Sequence, residues 1–165
     1  MVFIKDIEEE LKIRLAVSGE EIVFVGFPAY ISDDRGSIEW LRRKLNDEVK
    51  IGDSPLFSLA QKEIREYLRG ERKSFDLPVR HLGTSFQRAV WNEIDKIEYG
   101  GTVSYTDIAI AIGREKSVRA VGNAVGANML SILTPCHRVK GKNNPGGYAW
   151  GGDIKNILLG IEIPY

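Results

Sequence analysis

The sequence predicts a mixed α/β fold, with a small α/β part at the N-terminus and a mostly helical part after it. Polarity alternates with a period of two in residues 11–18 and 21–27, and Ser18-Gly19-Glu20 between them is typical of a hairpin turn. From residue 84 onward, capping motifs and apolar residues at helical spacing replace this alternation. The two patterns indicate a hairpin-containing module followed by a helical one.

The N-terminal module contains two predicted amphipathic helices. They cover residues 38–45 and 55–68, and Gly70 ends the second. Their predicted buried faces consist of Ile38, Leu41 and Leu45 in the first helix, and of Leu56, Leu59, Ala60, Ile64, Tyr67 and Leu68 in the second. A boundary follows Leu77-Pro78, so we divide the chain into an α/β domain of residues 1–80 and a second domain of residues 81–165.

The helical module opens with two capping boxes, each a hydroxyl residue followed three positions later by a residue that can reach back. Thr84 with Gln87 opens a first helix, and Ser104 with Asp107 opens a second, short one. The predicted buried stripe of the first helix is Phe86, Val90, Ile94 and Ile97. The short helix is predicted to end at Gly113.

A third helix over residues 117–127 follows the tight turn at residues 113–116. Two short helices joined in this way form a candidate helix-turn-helix, although many αα-corners of the same kind bind nothing. A last helix over residues 153–160 is predicted to place Ile154, Ile157, Leu158 and Ile161 on one face.

Composition narrows the class of protein. The 165 residues include one cysteine and two histidines, which excludes an intramolecular disulfide and leaves too few ligands for the usual four-ligand zinc site. No apolar run approaches the roughly 18 residues of a membrane span, and the N-terminus soon turns acidic, unlike a signal peptide. We therefore expect a cytoplasmic protein with no membrane partner, no metal and no cofactor.

The formal net charge is zero, but the charge is unevenly distributed. Residues 114–142 carry six basic side chains and a single acidic one, Glu115. Such a stretch can bind a phosphate backbone, or it can be an ordinary solvated surface. Charge alone leaves both interpretations open.

The single cysteine, Cys136, lies in Pro135-Cys136-His137-Arg138-Val139. A thiol is a good nucleophile only as thiolate, and a neighbouring histidine or positive charge can raise the thiolate fraction. A lone cysteine is otherwise usually buried and inert. Adjacent residues point to opposite faces of a regular strand, so His137 needs a local bend or a bridging water to reach the sulfur.

The wider pattern resembles the O6-alkylguanine-DNA alkyltransferases over roughly residues 84–162. The matching residues are Phe86-Gln87, Val90-Trp91, Tyr99-Gly100, Val103-Ser104-Tyr105, Arg119-Ala120-Val121-Gly122, Asn128, Ile132-Leu133, the five residues around Cys136, Gly147-Tyr148, Lys155, Leu158-Leu159 and Glu162. The resemblance implies an RNase H-like N-terminal domain and a winged-helix-like C-terminal domain with a helix-turn-helix.

The resemblance also implies a reaction, the repair of O6-alkylguanine in double-stranded DNA. Cys136 accepts the alkyl group irreversibly, once per chain, while His137 takes the thiol proton, through a water, and Glu162 orients the imidazole. Tyr105 helps to neutralise the departing guanine. Asn128 is the hinge beside the active segment. One chain suffices for this chemistry, so we expect a monomer.

The same resemblance implies how DNA is bound. Arg119 acts as a finger that replaces a flipped nucleotide, and Gly122 keeps the third helix slim in the minor groove, independent of sequence. The DNA-contacting residues are predicted to be Ser104, Tyr105, Arg119, Gly122 and Arg138. The base pocket is predicted to be lined by Met129, Tyr148, Ala149 and Trp150.

Three positions depart from the family pattern. Met129 and Ser131 stand where prolines are usual, and Trp150 stands where a small residue is common, either narrowing the pocket mouth or packing outward. The main alternative function is an alkyltransferase-like protein that binds damage without transfer, although such relatives lack the cysteine. A helix-turn-helix regulator and a cysteine hydrolase are further alternatives.

Overall fold

The structure is a computed structural model that describes residues 1–28 and 36–163. The chain divides into two compact units, Met1–Leu82 and Gly83–Tyr165, and together they form a mixed α/β protein.

The first unit is built on a four-stranded sheet. Its strands are β1 (Val2–Glu8), β2 (Lys12–Ser18), β3 (Glu21–Gly26) and β4 (Val49–Ile51), in the order β3-β2-β1-β4. Neighbours are antiparallel except β4, which runs parallel to β1. The predicted hairpin is confirmed as β2 and β3, with Gly19 at φ +63° in the turn. The sequence did not reveal β1 or β4, since β4 has only three residues and β1 alternates poorly.

Two helices complete the first unit, α1 (Gly36–Leu45) and α2 (Pro55–Leu68). Helix α2 begins after Ser54, whose hydroxyl caps the Leu56 amide, and it packs against β2. Its buried residues are Phe57, Ala60, Glu63, Ile64, Tyr67 and Leu68. The predicted buried face was therefore wrong at Leu59, which is 41% exposed. Phe57 is buried instead, and side chains two positions apart on a helix do not share a face.

The second unit is mostly helical. Its elements are α3 (Ser85–Ile94), β5 (Val103–Ser104), α4 (Tyr105–Ala111), α5 (Val118–Gly126), β6 (Val139–Lys140) and α6 (Gly152–Glu162). Both predicted capping boxes are confirmed, at the starts of α3 and α4. The short strands β5 and β6 pair in parallel, which brings the start of α4 beside the segment that follows Cys136.

Helix α5 packs on α3 and α4 around a shared core. Trp91 of α3 donates its indole N–H to the Ala124 carbonyl of α5 at 2.8 Å. Helix α5 is one residue shorter at each end than predicted. In α6, Ile157 is 45% exposed, so its predicted place on the buried face was wrong. In residues 1–28 and 36–163, the structure contains no helix of the length and hydropathy that crossing a membrane requires.

Candidate active site

Cys136 begins a single turn of 3-10 helix, Cys136–Arg138, and is 4% exposed. The turn supplies the bend that the adjacent cysteine and histidine need, because it does not place successive side chains on opposite faces as a strand does. Both side chains are consequently buried in the same unit.

Asn128 holds the cysteine through hydrogen bonds. Its side-chain amide donates to Cys136 Sγ at 3.1 Å and to the Thr134 carbonyl at 3.0 Å. Its Oδ1 accepts from the Leu130 amide at 3.0 Å. One buried side chain thus ties both ends of the segment from residue 130 to residue 136, which includes Ile132 at φ +71°.

Glu162, near the end of α6, binds His137 and Arg138 together. Its Oε1 lies 2.7 Å from His137 Nε2, while Arg138 donates to both carboxylate oxygens at 2.8 and 2.9 Å. A carboxylate opposite a guanidinium is ionised and only accepts, so His137 Nε2 carries the hydrogen of this bond. The neutral imidazole is therefore the Nε2–H tautomer, and Nδ1 is the nitrogen that can take a proton.

The electrostatics of the site favour the neutral forms of Cys136 and His137. Burial raises the pKa of the Cys136 thiol to about 11, and the hydrogen bond from Asn128 opposes this only in part. Burial also lowers the pKa of His137, although Glu162 acts in the opposite direction. The sequence-based expectation that the neighbouring positive groups enrich the thiolate does not hold at rest, because desolvation of the sulfur outweighs them.

A cavity of about 230 Å³ opens at the cysteine. It is lined by Tyr105, Gly122, Val125, Gly126, Cys136, Gly147, Tyr148 and Ala149. Tyr105 Oη accepts from the Gly147 amide at 3.2 Å, which leaves its own hydrogen available to another acceptor. A Cβ on Gly146, which has φ +72°, would lie 2.7 Å from the Tyr105 hydroxyl. The cavity can therefore hold a small planar group between the tyrosine, the loop and the sulfur.

Two predicted pocket residues lie elsewhere. Trp150 is buried and donates its indole N–H to Ser131 Oγ at 2.7 Å, so it neither narrows the pocket mouth nor packs outward. Met129 is half-buried. Neither side chain belongs to the cavity lining formed by the described residues. Ser131 and Trp150, two of the three departures from the family pattern, instead bind each other.

The predicted DNA-contacting residues also separate into groups. Arg119 is exposed in the first turn of α5, and Gly122 faces the Tyr105 ring. The Ser104 hydroxyl accepts from the Asp107 amide as the cap of α4. Arg138 was wrongly predicted to contact DNA. It is 7% exposed, and it also donates to the Ile97 carbonyl at 2.6 Å, because the pairing with Glu162 draws it into the core.

Lys155 is a site residue to which the sequence assigned no role. Its ammonium is buried and donates to the carbonyls of Val139, Pro145 and Gly147 at 2.7, 2.6 and 3.2 Å. Burial lowers its pKa, while Cys136 has the opposite influence. The available signal was a lysine next to Ile154 on the apolar face of α6.

Among residues 1–28 and 36–163, no three His, Cys, Asp or Glu side chains are grouped so that they could hold a metal ion.

The chemistry that the arrangement of Cys136, His137 and Glu162 supports is displacement by a sulfur whose proton passes to an oriented imidazole.

Comparison with known proteins identifies the chemistry. Residues 85–163 match the family model described as the DNA-binding domain of 6-O-methylguanine DNA methyltransferase. The chain is 46% identical over 125 residues to the inducible methylated-DNA–protein-cysteine methyltransferase of Bacillus subtilis, covering 75% of this chain and 70% of that one. It is 39% identical over 142 residues to the methylated-DNA–protein-cysteine methyltransferase of Methanosarcina acetivorans, covering 82% and 91%.

Solved structures of methyltransferases are also similar to this chain. The Mycobacterium tuberculosis O6-methylguanine methyltransferase superposes with a TM-score of 0.81 at 32% identity, covering 98% of this chain and 93% of that chain. The Mycobacterium tuberculosis OGT in complex with DNA superposes with a TM-score of 0.80 at 31% identity, covering 97% and 92%.

A helical domain that matches a DNA-binding family, with a buried cysteine at a small cavity, defines the class of DNA-directed transferases that use a protein thiol. The chain belongs to the methylated-DNA–protein-cysteine methyltransferase family.

Proposed function

We propose that this protein repairs O6-alkylguanine in double-stranded DNA by transferring the alkyl group to Cys136, once per chain. The observation that carries the proposal is that the single cysteine of the chain lines a cavity, while the next residue, His137, is bound to Glu162. The family membership supports the same reaction. The alternative, damage binding without transfer, is disfavoured by the presence of Cys136.

The reaction is a single displacement at carbon. The Cys136 thiol proton passes to His137 Nδ1, directly or through a water, as the Sγ–carbon bond forms. The carbon–O6 bond breaks, and its electron pair leaves on the guanine. Tyr105 donates a hydrogen bond to the guanine, whose negative charge develops in the transition state. Because the product is a thioether and the chain has no second thiol, the acceptor is consumed.

DNA binding uses helix α5 in this proposal. A base inside the duplex hides its O6 atom, so the nucleotide must be flipped into the cavity. Arg119 is exposed on the same helix as the cavity-lining Gly122, and its guanidinium is suited to occupy the vacated space. The small residues of α5 suit a close approach to the minor groove. Binding is sequence-independent, and one monomer acts on one lesion.

We extend the proposal to the architecture and location. The sheet order β3-β2-β1-β4, with β4 parallel to β1, supports an RNase H-like N-terminal domain over residues 1–80. Helices α3 to α5 with the small β5–β6 sheet support a winged-helix-like domain over residues 81–165. A thiol acceptor needs reducing surroundings, which supports a cytoplasmic location.

Intact-protein mass spectrometry tests the function. After incubation with a duplex containing one O6-methylguanine, we expect each chain to gain the mass of one methyl group. The Cys136→Ala variant and an undamaged duplex are the controls, and neither should give a gain. An unchanged mass of the unmutated chain with the lesion duplex would refute the proposal.

A further inference from the structure

His137, Arg138 and Glu162 form a buried group that we call the imidazole cluster. The three side chains are 1%, 7% and 5% exposed. Glu162 Oε1 accepts hydrogen bonds from His137 Nε2 and Arg138 Nη2. Its Oε2 accepts from Arg138 Nε and, at 3.3 Å, from the Gly100 amide. Arg138 is thus a bidentate partner of the carboxylate that orients the imidazole.

The charge balance of the imidazole cluster depends on Arg138. The guanidinium and the Glu162 carboxylate cancel, so a neutral His137 leaves the cluster uncharged. A protonated His137 would leave one excess positive charge in a buried site, which is costly. Without the arginine, the carboxylate and a protonated imidazole would instead balance each other, so protonation of His137 would be less costly.

We propose that Arg138 is a positioning residue that keeps His137 neutral in the resting protein, so that the imidazole can accept the Cys136 proton during transfer. This inference rests on the proposed function where it assigns His137 as the proton acceptor. It replaces the DNA contact predicted for Arg138 with a role inside the site.

The other charged and titratable groups around the cluster act in the same direction or are neutral. Lys155 of α6 and Arg138 both lower the pKa of His137, adding to the larger influence of burial, and Glu162 alone raises it. The Cys136 thiol is protonated at rest. Tyr99, in the turn after α3, lies under the Arg138 guanidinium, and burial raises its pKa, so its phenol is neutral as well.

The charges of the transfer step follow from this arrangement. The thiol proton moves to His137, the sulfur–carbon bond forms, and the carbon–oxygen bond of the lesion breaks. The cluster then carries one positive charge and the leaving guanine one negative charge. Glu162 stabilises the new imidazolium, and the opposite charge beside Tyr105 develops at the same time, so the net charge of the site does not change during transfer.

An NMR titration of the free protein tests the charge balance. The chain has two histidines, so a His81→Gln background leaves only the His137 imidazole signals. Arg138→Met should raise the pKa of His137 by about one unit or more, and Glu162→Gln should lower it below the parent value. The double variant should have a His137 pKa above that of Glu162→Gln but below that of the parent, because Glu162 acts on His137 more strongly than Arg138 does. Arg138→Lys, which keeps the charge, and Arg114→Met, which removes a charge from an exposed position, should leave the pKa near the parent value.

The comparison between Glu162→Gln and the double variant remains informative if Arg138→Met alone does not fold. In Glu162→Gln the arginine charge acts on His137 without a counter-charge, so its removal must raise the pKa. Equal pKa values in these two variants, or no rise in a folded Arg138→Met, would overturn the proposal.

Single-turnover transfer supplies the kinetic counterpart. Neutral His137 is the active form, so the rate falls as the pH drops through its pKa. In Arg138→Met this fall should begin at higher pH, with the loss largest near pH 6 and smallest near pH 9. The opposite shift would contradict the inference. The NMR titration needs no transfer, so absence of transfer with the expected titrations would count against the proposed function alone.

Discussion

At the scale of single residues, the main feature is a nucleophile that is buried as a neutral thiol. The Cys136 sulfur contacts the Asn128 amide, and its raised pKa means that thiolate is scarce at neutral pH. In the proposed reaction, its reactivity therefore arises when the substrate is in place and His137 takes the proton. A thiol protected in this way is spared side reactions before DNA is bound.

A pH titration of thiol alkylation in the absence of DNA tests this state. Below its pKa of about 11, the Cys136 thiolate fraction rises tenfold with each pH unit. The iodoacetamide reaction should therefore increase steadily between pH 7 and pH 9.5, and should be slower than that of free cysteine, measured in parallel. A plateau near neutral pH would show a low thiol pKa and contradict the assignment.

Asn128 provides a second residue-scale prediction. Replacing it with alanine leaves the Leu130 amide and the Thr134 carbonyl without their side-chain partner in a buried site. We expect a loss of about 2–4 kcal/mol in the free energy of unfolding, together with slower transfer. Urea unfolding measures the first effect, and Asn123→Ala, at an exposed position of α5, is the matched control. Equal stabilities of the two variants would argue against the three-bond role of Asn128.

At the scale of elements, the cavity is formed where the start of α4 meets the loop that precedes α6. Tyr105 and the Gly147 amide bind directly, and Lys155 fastens the same loop through the carbonyls of Pro145 and Gly147. The cavity is therefore held by backbone atoms of the loop, and its shape depends on one left-handed residue, Gly146.

Gly146→Ala tests this dependence. The new methyl group would combine a left-handed backbone with a contact of 2.7 Å to the Tyr105 hydroxyl. We expect a stability loss of about 1–2 kcal/mol from the backbone, and a larger fall in the transfer rate as Tyr105 is displaced. Gly152→Ala is the control, because nothing lies within 4 Å of its Cβ position and it begins a helix. Similar transfer rates in both variants would contradict the proposed pocket.

At the scale of the whole molecule, a formal net charge of zero coexists with a basic DNA-binding unit. The basic side chains of residues 114–142 are exposed except Arg138. The exposed ones are Arg114, Lys116, Arg119, Lys140 and Lys142. Their positions favour attraction to phosphate without any requirement for a strongly basic protein.

The salt dependence of DNA affinity tests this distribution. Affinity for undamaged duplex should fall as salt rises, with little dependence on sequence. Lys142→Gln should reduce the slope of log affinity against log salt by about one if that side chain meets a phosphate. Lys50→Gln, in the first unit, should leave the slope unchanged. A slope that is the same in all three proteins would remove Lys142 from the interface.

Several features could be predicted from the sequence alone because their causes are local. The two capping boxes, the hairpin with Gly19 and the helical stripe of α3 each depend on residues within a few positions of one another. The family membership was equally accessible, since it rests on residue identities around Cys136. Strands β1 and β4 were missed because a strand depends on its partners as much as on its own residues.

The sequence by itself therefore determined the order of the helices, the location of the caps, the single cysteine and the family. Only the tertiary structure decided that Arg138 is a buried partner of Glu162, that Lys155 fastens the pocket loop, and that Trp150 binds Ser131 instead of lining the cavity. A sequence shows that a side chain is charged or large, but burial and pairing depend on residues that are distant along the chain. The raised pKa of Cys136 has the same origin, since desolvation is a property of the packed site.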